Sequence, residues 1–210
     1  MKNNPKIVVP ILSKTDIEKK VQEFCEHFGI DRTKVPVDVE VIVESDLKLR
    51  LEPEKGVASA CGADALLLSH RGSIIVDYDR FMKDSWQNRL RFTIAHEIGH
   101  YVLHEDVYKC VHFSSVEEWA DFFDGIPRPS YRWLEWQCDE FAGRLLIEGD
   151  LLKAKFEQAK KKLHGTPYEG IEPLPEWVVE AMSEEIGKFF GVSFYPVYIR
   201  LQSENIWRPS

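Results

Sequence analysis

Several features are missing from these 210 residues, and each absence removes a class of protein. No apolar run approaches the roughly 18 residues that cross a bilayer, so no membrane-spanning segment is expected. The opening MKNNPKIVVPIL has neither a long apolar core nor a small-residue cleavage site, so no signal peptide is read there. Cysteine is scarce: Cys25, Cys61, Cys110 and Cys138 are widely spaced and form no C-x-x-C. That spacing predicts reduced thiols in a cytoplasmic protein, not a disulfide framework. Positive charge is also short, with Lys plus Arg at 27 against Asp plus Glu at 35, a net of −8. Phosphate affinity comes from clustered Lys and Arg, so direct nucleic-acid binding is not expected. There is no internal repeat and no low-complexity tract. What remains is 44% hydrophobic, enough for a packed core.

Read along the chain, the apolar spacing changes period several times. Ile17, Val21, Phe24, Cys25 and Phe28 share one helix face, with Thr15 or Asp16 as the expected cap and Gly29 as the stop. Val37, Val39, Val41 and Val43 alternate and predict a strand, and Leu47, Leu49 and Leu51 predict a second. Ala65 to Ser69 and Ser73 to Asp77 read as a hairpin around His70-Arg71-Gly72. Helical spacing then runs from about Asp84 to His104, through Val116 to Phe123, Tyr131 to Ile147 and Leu151 to Leu163. A Gly- and Pro-rich stretch from His164 to Pro175 reads as a linker before helices at about 176–190 and 194–202. The order predicts an α+β fold with a small antiparallel or mixed sheet. The expected organisation is one domain over residues 1–164 and a helical appendage over 165–210.

The chemistry concentrates in His96-Glu97-Ile98-Gly99-His100, an H-E-x-x-H motif within a helical stretch. Residues four apart on a helix share a face, so His96 and His100 can offer two imidazoles to one metal ion. Glu97 is then placed as the general base that takes a proton from an activated water. Gly99 leaves room for another element to approach. Catalytic zinc ordinarily takes a third protein ligand, and Glu135 is the leading candidate. Asp139, four residues on, can hold the far nitrogen of a histidine ligand. His104 lies too far around and along the helix from His96 to share the ion and reads as a packing or hydrogen-bonding residue. His112, Asp106 and Asp121 remain as further candidates for the third ligand. Tyr131, Tyr108, His112 and Arg128 are candidates to stabilise an oxyanion. An extended substrate would pair with an exposed sheet edge, for which the 73–77 strand is a candidate.

Arg91 to His100 with Leu103-His104, and the string Glu135 to Leu146 with Cys138 where alanine is usual, together resemble the ImmA/IrrE family of zincin-like metallopeptidases. The resemblance runs from about Gly62 to Ile147. It departs at Glu148, where proline is frequent, and in the long 34-residue spacer between His100 and Glu135. It implies a cytoplasmic zinc-dependent endopeptidase, with manganese as the other candidate metal. His96, His100 and Glu135 would hold the metal and Glu97 would act as base. The implied partner is a protein substrate, a helix-turn-helix transcriptional repressor. The alternative is a non-catalytic metal-containing regulator that binds a repressor or DNA. Residues 185–201 resemble a helix-turn-helix, but residues 165–210 carry three basic residues against seven glutamates, which disfavours phosphate contact.

Overall fold

Ser13 starts the first helix of the described residues. Its hydroxyl accepts from the Asp16 N–H while the Asp16 carboxylate accepts from the Ser13 N–H, a capping box one turn earlier than the sequence suggests. The computed structural model describes residues 9–70 and 72–209; the opening residues up to Val8 and Arg71 of the expected turn lie outside them. This helix, α1 (Lys14–Phe28), buries Ile17, Val21, Phe24 and Cys25 and ends at Gly29, whose φ of 68° is the left-handed conformation that favours glycine.

The valine-rich segment that follows is not a strand. Asp38 accepts from the Val41 N–H and caps a short helix, α2 (Val39–Val41), which runs into a π-helical turn over Ile42–Asp46. The buried positions Val39, Ile42 and Val43 are three and four apart, so a helical stripe lay beneath the period-2 alternation. Lys48 then takes a left-handed φ of 57°, which delays the next strand to β1 (Arg50–Glu54). A short helix, α3 (Val57–Cys61), precedes β2 (Ala65–Leu67) and β3 (Ser73–Asp77).

The sheet is mixed, in the order β1-β3-β2, with β1 parallel and β2 antiparallel to β3. β2 and β3 form the expected hairpin. Because β3 is central, both its edges are taken and it cannot be the strand that pairs with a substrate. β2 is an edge strand of this sheet, and it packs against the histidine helix.

Helices make up the remainder: α4 (Tyr78–Phe81), α5 (Gln87–Leu103), α6 (Glu105–Lys109), α7 (Val116–Asp124), α8 (Arg128–Leu146), α9 (Gly149–Lys161), α10 (Glu176–Phe190) and α11 (Phe194–Ser203). Pro129 falls in the first turn of α8, where a missing N–H costs nothing. Among the described residues no helix is long and apolar enough to cross a membrane. The whole is an α+β fold.

The chain divides into two compact units. The first holds Asp38–Ala142 with the chain up to Ile30; the second holds Asp31–Val37 with the chain from Gly143 onward. In the second unit Glu148 accepts from the Leu151 N–H and caps α9, so this departure from proline still starts a helix. α10 and α11 pack together around the left-handed Gly191, and Gly187 lets the Val192 carbonyl pass within 2.8 Å of where a Cβ would sit. The lysines of α9 are partly engaged within this unit: Lys160 and Lys162 pair with Glu172 and Glu185, and Lys155 lies over the Phe189 ring.

In the first unit α5 and α8 meet at Gly99. A Cβ there would stand 3.1 Å from Cys138 Cα and 3.3 Å from its Cβ, so a larger residue fits only if the α8 backbone gives by a few tenths of an ångström. Gly99→Val is expected to cost about 1–3 kcal/mol of stability through overpacking. Urea unfolding would show a lower midpoint, and an unchanged midpoint would mean that α8 can yield.

Candidate metal centre

α5 carries both motif histidines on the side facing α8, and α8 turns Glu135 and Asp139 towards them. Glu135 Oε2 stands 3.4 Å from His96 Nε2, and Glu135 Oε1 stands 3.5 Å from His100 Nε2. One carboxylate thus faces two imidazole nitrogens. Asp139 Oδ1 lies 2.9 Å from His96 Nδ1, on the other side of that ring. The structure therefore brings together His96, Glu97, His100, Glu135 and Asp139. His112, Asp106 and Asp121 are exposed and do not line the cleft.

The electrostatics favour a cation. Burial works against a charged His96, but hydrogen bonds to Asp139 and Glu135, with the charges of Glu135 and Glu97, outweigh it and hold its pKa well above the ordinary value. Burial likewise works against an ionised Glu135, yet hydrogen bonds from His100 and His96 hold its pKa well below the ordinary value. Glu97 is 5% exposed, and burial raises its pKa despite the neighbouring imidazoles. Its Oε2 accepts from the Leu67 N–H of β2 at 2.7 Å, which leaves the other oxygen for a proton. Sequence patterning carries no sign of this backbone donor, since any residue could supply it.

A second donor set also exists. One donor atom from each of His96, His100 and Cys138 lies within 4.8 Å of the others. A thiol binds metal as thiolate, and burial followed by the charges of Glu135, Glu97 and Asp139 pushes the Cys138 thiol well above its ordinary pKa. Glu135 is ionised already and faces the two Nε2 atoms directly. Two imidazoles and a carboxylate suit zinc, leaving a position open for substrate.

The far side of His100 is held by neutral groups. His100 Nδ1 lies 3.2 Å from His104 Nδ1, and Cys138 Sγ lies 3.5 Å from the same atom. Burial, then the charges of His100 and His96, pushes His104 down to about 3, so it is neutral. With Nε2 of His100 left free for a metal, its Nδ1–H donates to His104, whose own proton sits on Nε2. That nitrogen is buried, near the amide of Gln137 but without a hydrogen bond of standard geometry among the described residues. Gln137 Nε2 donates to the carbonyls of Pro10 at 2.9 Å and Trp133 at 3.2 Å, which turns Oε1 to the remaining side. Nothing in the sequence singles out Gln137, because its partners come from distant backbone.

Around this centre runs a cleft of about 220 Å³, lined by Gly62 to Ala65, Thr93, Trp119 and Tyr131 besides the residues above. Asp64 and Arg89 also line it, 2.6 Å apart, with the Arg89 guanidinium 5.0 Å from the Trp86 ring. Of the candidates for oxyanion stabilisation, Tyr131 lines the cleft, while Arg128 lines the neighbouring cavity and Tyr108 is buried behind His100. The spacer reaches the site through Ser69, whose hydroxyl donates to the Phe113 carbonyl at 2.7 Å and accepts from the Phe113 N–H at 2.8 Å.

A family model described as Peptidase_M78, IrrE N-terminal-like domain, matches residues 83–202, more than half of the chain and all of the centre's side chains. No curated protein matches the chain.

His104→Phe removes the acceptor behind His100 and is expected to weaken zinc affinity roughly 10- to 100-fold. His104→Gln, which keeps an acceptor oxygen, should recover most of it. Competition with a chelating dye reads both, and equal affinities in wild type and His104→Phe would dismiss the role of His104.

Proposed function

The chain belongs to the Peptidase_M78 family, the IrrE N-terminal-like domain, and from that premise we propose that it is a zinc-dependent endopeptidase acting on a protein substrate. The observation that carries this reading is the Glu135 carboxylate set between His96 Nε2 and His100 Nε2 beside a buried, backbone-anchored Glu97. His96, His100 and Glu135 would hold the metal. When bound there, zinc supplies Lewis acidity, lowering the pKa of water and polarising a carbonyl.

The chain's own residues do the rest. Glu97 takes a proton from the attacking water and later delivers it to the leaving amine. Its raised pKa brings it closer to the range in which a carboxyl group both accepts and returns a proton near neutrality. Tyr131, in the cleft wall, is placed to donate its hydroxyl proton in a hydrogen bond to the developing oxyanion. Burial and the nearby Glu135 raise its pKa, so it stays protonated as a donor. Asp139 and His104 orient the two imidazoles from behind. An extended substrate fits along residues 62–65, where the edge of β2 borders the cleft. The proposed substrate is a helix-turn-helix repressor in the cytoplasm, as the family resemblance implies.

Elemental analysis of wild type, Glu135→Ala, Cys138→Ser and Glu97→Gln tests this assignment. Wild type, Cys138→Ser and Glu97→Gln should each hold about one zinc per chain, and Glu135→Ala should lose most of it. Glu97→Gln should also lower turnover by at least about 10²-fold. Wild type that stays metal-free when supplied with zinc would refute the peptidase. Loss from Cys138→Ser but not from Glu135→Ala would make the thiol the third donor.

A further inference from the structure

Two cavities of the first unit meet at Trp119 and Tyr131. One is the metal cleft; the other, about 510 Å³, lies where α3, α7 and the start of α8 converge. We propose that this second cavity receives a bulky apolar side chain of the substrate, aromatic or large aliphatic, next to the scissile bond. The proposal rests on the peptidase reading above.

The floor is formed by Trp119, Phe123 and Ile126, exposed by 9%, 7% and 6%. Their packing is firm: the Trp119 and Phe123 ring centroids lie 4.4 Å apart, and Phe123 stands edge-on to Tyr131 at 5.7 Å. Such a floor is apolar apart from the Trp119 indole N–H, so burying an Asp, Glu or Lys side chain there is disfavoured. Glycine would leave the floor uncovered and gain nothing from it. The charged members of the lining, Asp124, Arg128 and Arg132, are exposed at the rim. Their net positive charge adds a penalty for Lys or Arg.

Continuity with the cleft selects the occupant. Trp119 and Tyr131 line both spaces, and Cys61 in one is followed by Gly62 in the other. A chain lying along residues 62–65 with its scissile bond at Glu97 has the second cavity beside it, one shared wall away. The cavity, at about 510 Å³, lies in the roughly 300–1,000 Å³ range of ligand pockets and has room for the largest side chain. The wall is built largely by the spacer. α7 and the first turn of α8 both lie in the 34 residues between His100 and Glu135.

Two readouts test the pocket. Zinc-loaded protein is given reduced, carboxymethylated casein, and the cuts are mapped by mass spectrometry. Phe, Tyr, Trp, Leu or Met should flank the cut at least about tenfold more often than Gly, Asp or Lys. Ala120→Phe, which fills the cavity from α7, should abolish that preference. Independently of turnover, zinc-loaded Glu97→Gln is titrated with N-acetylphenylalaninamide and N-acetylglycinamide. The phenylalanine amide should bind at least about tenfold more tightly, and Ala120→Phe in the same background should remove the difference without changing zinc content. Equal binding of the two amides, or a preference that survives Ala120→Phe, overturns the pocket whether or not casein is cut. Selective binding with casein left intact supports the pocket and counts against the peptidase reading alone.

Discussion

Everything at the centre depends on how closely α5 and α8 approach at Gly99. The absent side chain lets the Cys138 backbone come within the space that a Cβ would fill. Glu135 and Asp139, flanking Cys138 on α8, then reach opposite nitrogens of His96. A larger residue at position 99 would strain the approach that sets the carboxylate between two imidazoles. The small Cys138 serves the same end from the other helix. It takes the position where the family pattern has alanine, and its thiol sits against His104.

The cost of burying this much polarity is met unequally on the two sides. His96 is backed by the largely exposed side chain of Asp139, whereas His100 is backed by a neutral histidine that burial keeps uncharged. Glu97 and Glu135 both sit among the imidazoles, and their pKa values move in opposite directions. Desolvation prevails at Glu97, while at Glu135 it is outweighed by the hydrogen bonds and charges of the two rings together. Two carboxyl groups on facing helices are thereby suited to different tasks, one to hold positive charge and one to exchange a proton.

The spacer shows how tertiary structure builds on a readable motif. Its helix at Val116–Asp124 follows from apolar spacing visible in the sequence, and Ser115 caps it by accepting from the Glu118 N–H. Its destination is not visible. Ser69 ties Phe113 to the end of β2, and this brings Trp119 and Phe123 alongside the cleft. The valines at 37–43 teach the converse. Their alternation is a genuine period-2 pattern, but an Asp38 cap and helical burial of Val39, Ile42 and Val43 prevail, because packing decides between two patterns that one short segment satisfies equally.

From the sequence alone follow the α+β class, the helices that carry His96 to His100 and Glu135 to Asp139, and the family to which these strings belong. Each rests on local periodicity or on residues close together in the chain, where helix geometry converts spacing directly into a shared face. Tertiary structure alone decided that β3 is central and β2 borders the cleft, that the Leu67 N–H anchors Glu97, and that Gln137 stands behind His104. Those depend on strand order and on backbone groups brought from far along the chain. A backbone N–H or carbonyl is the same in every residue, so the sequence carries no mark of which one will be used.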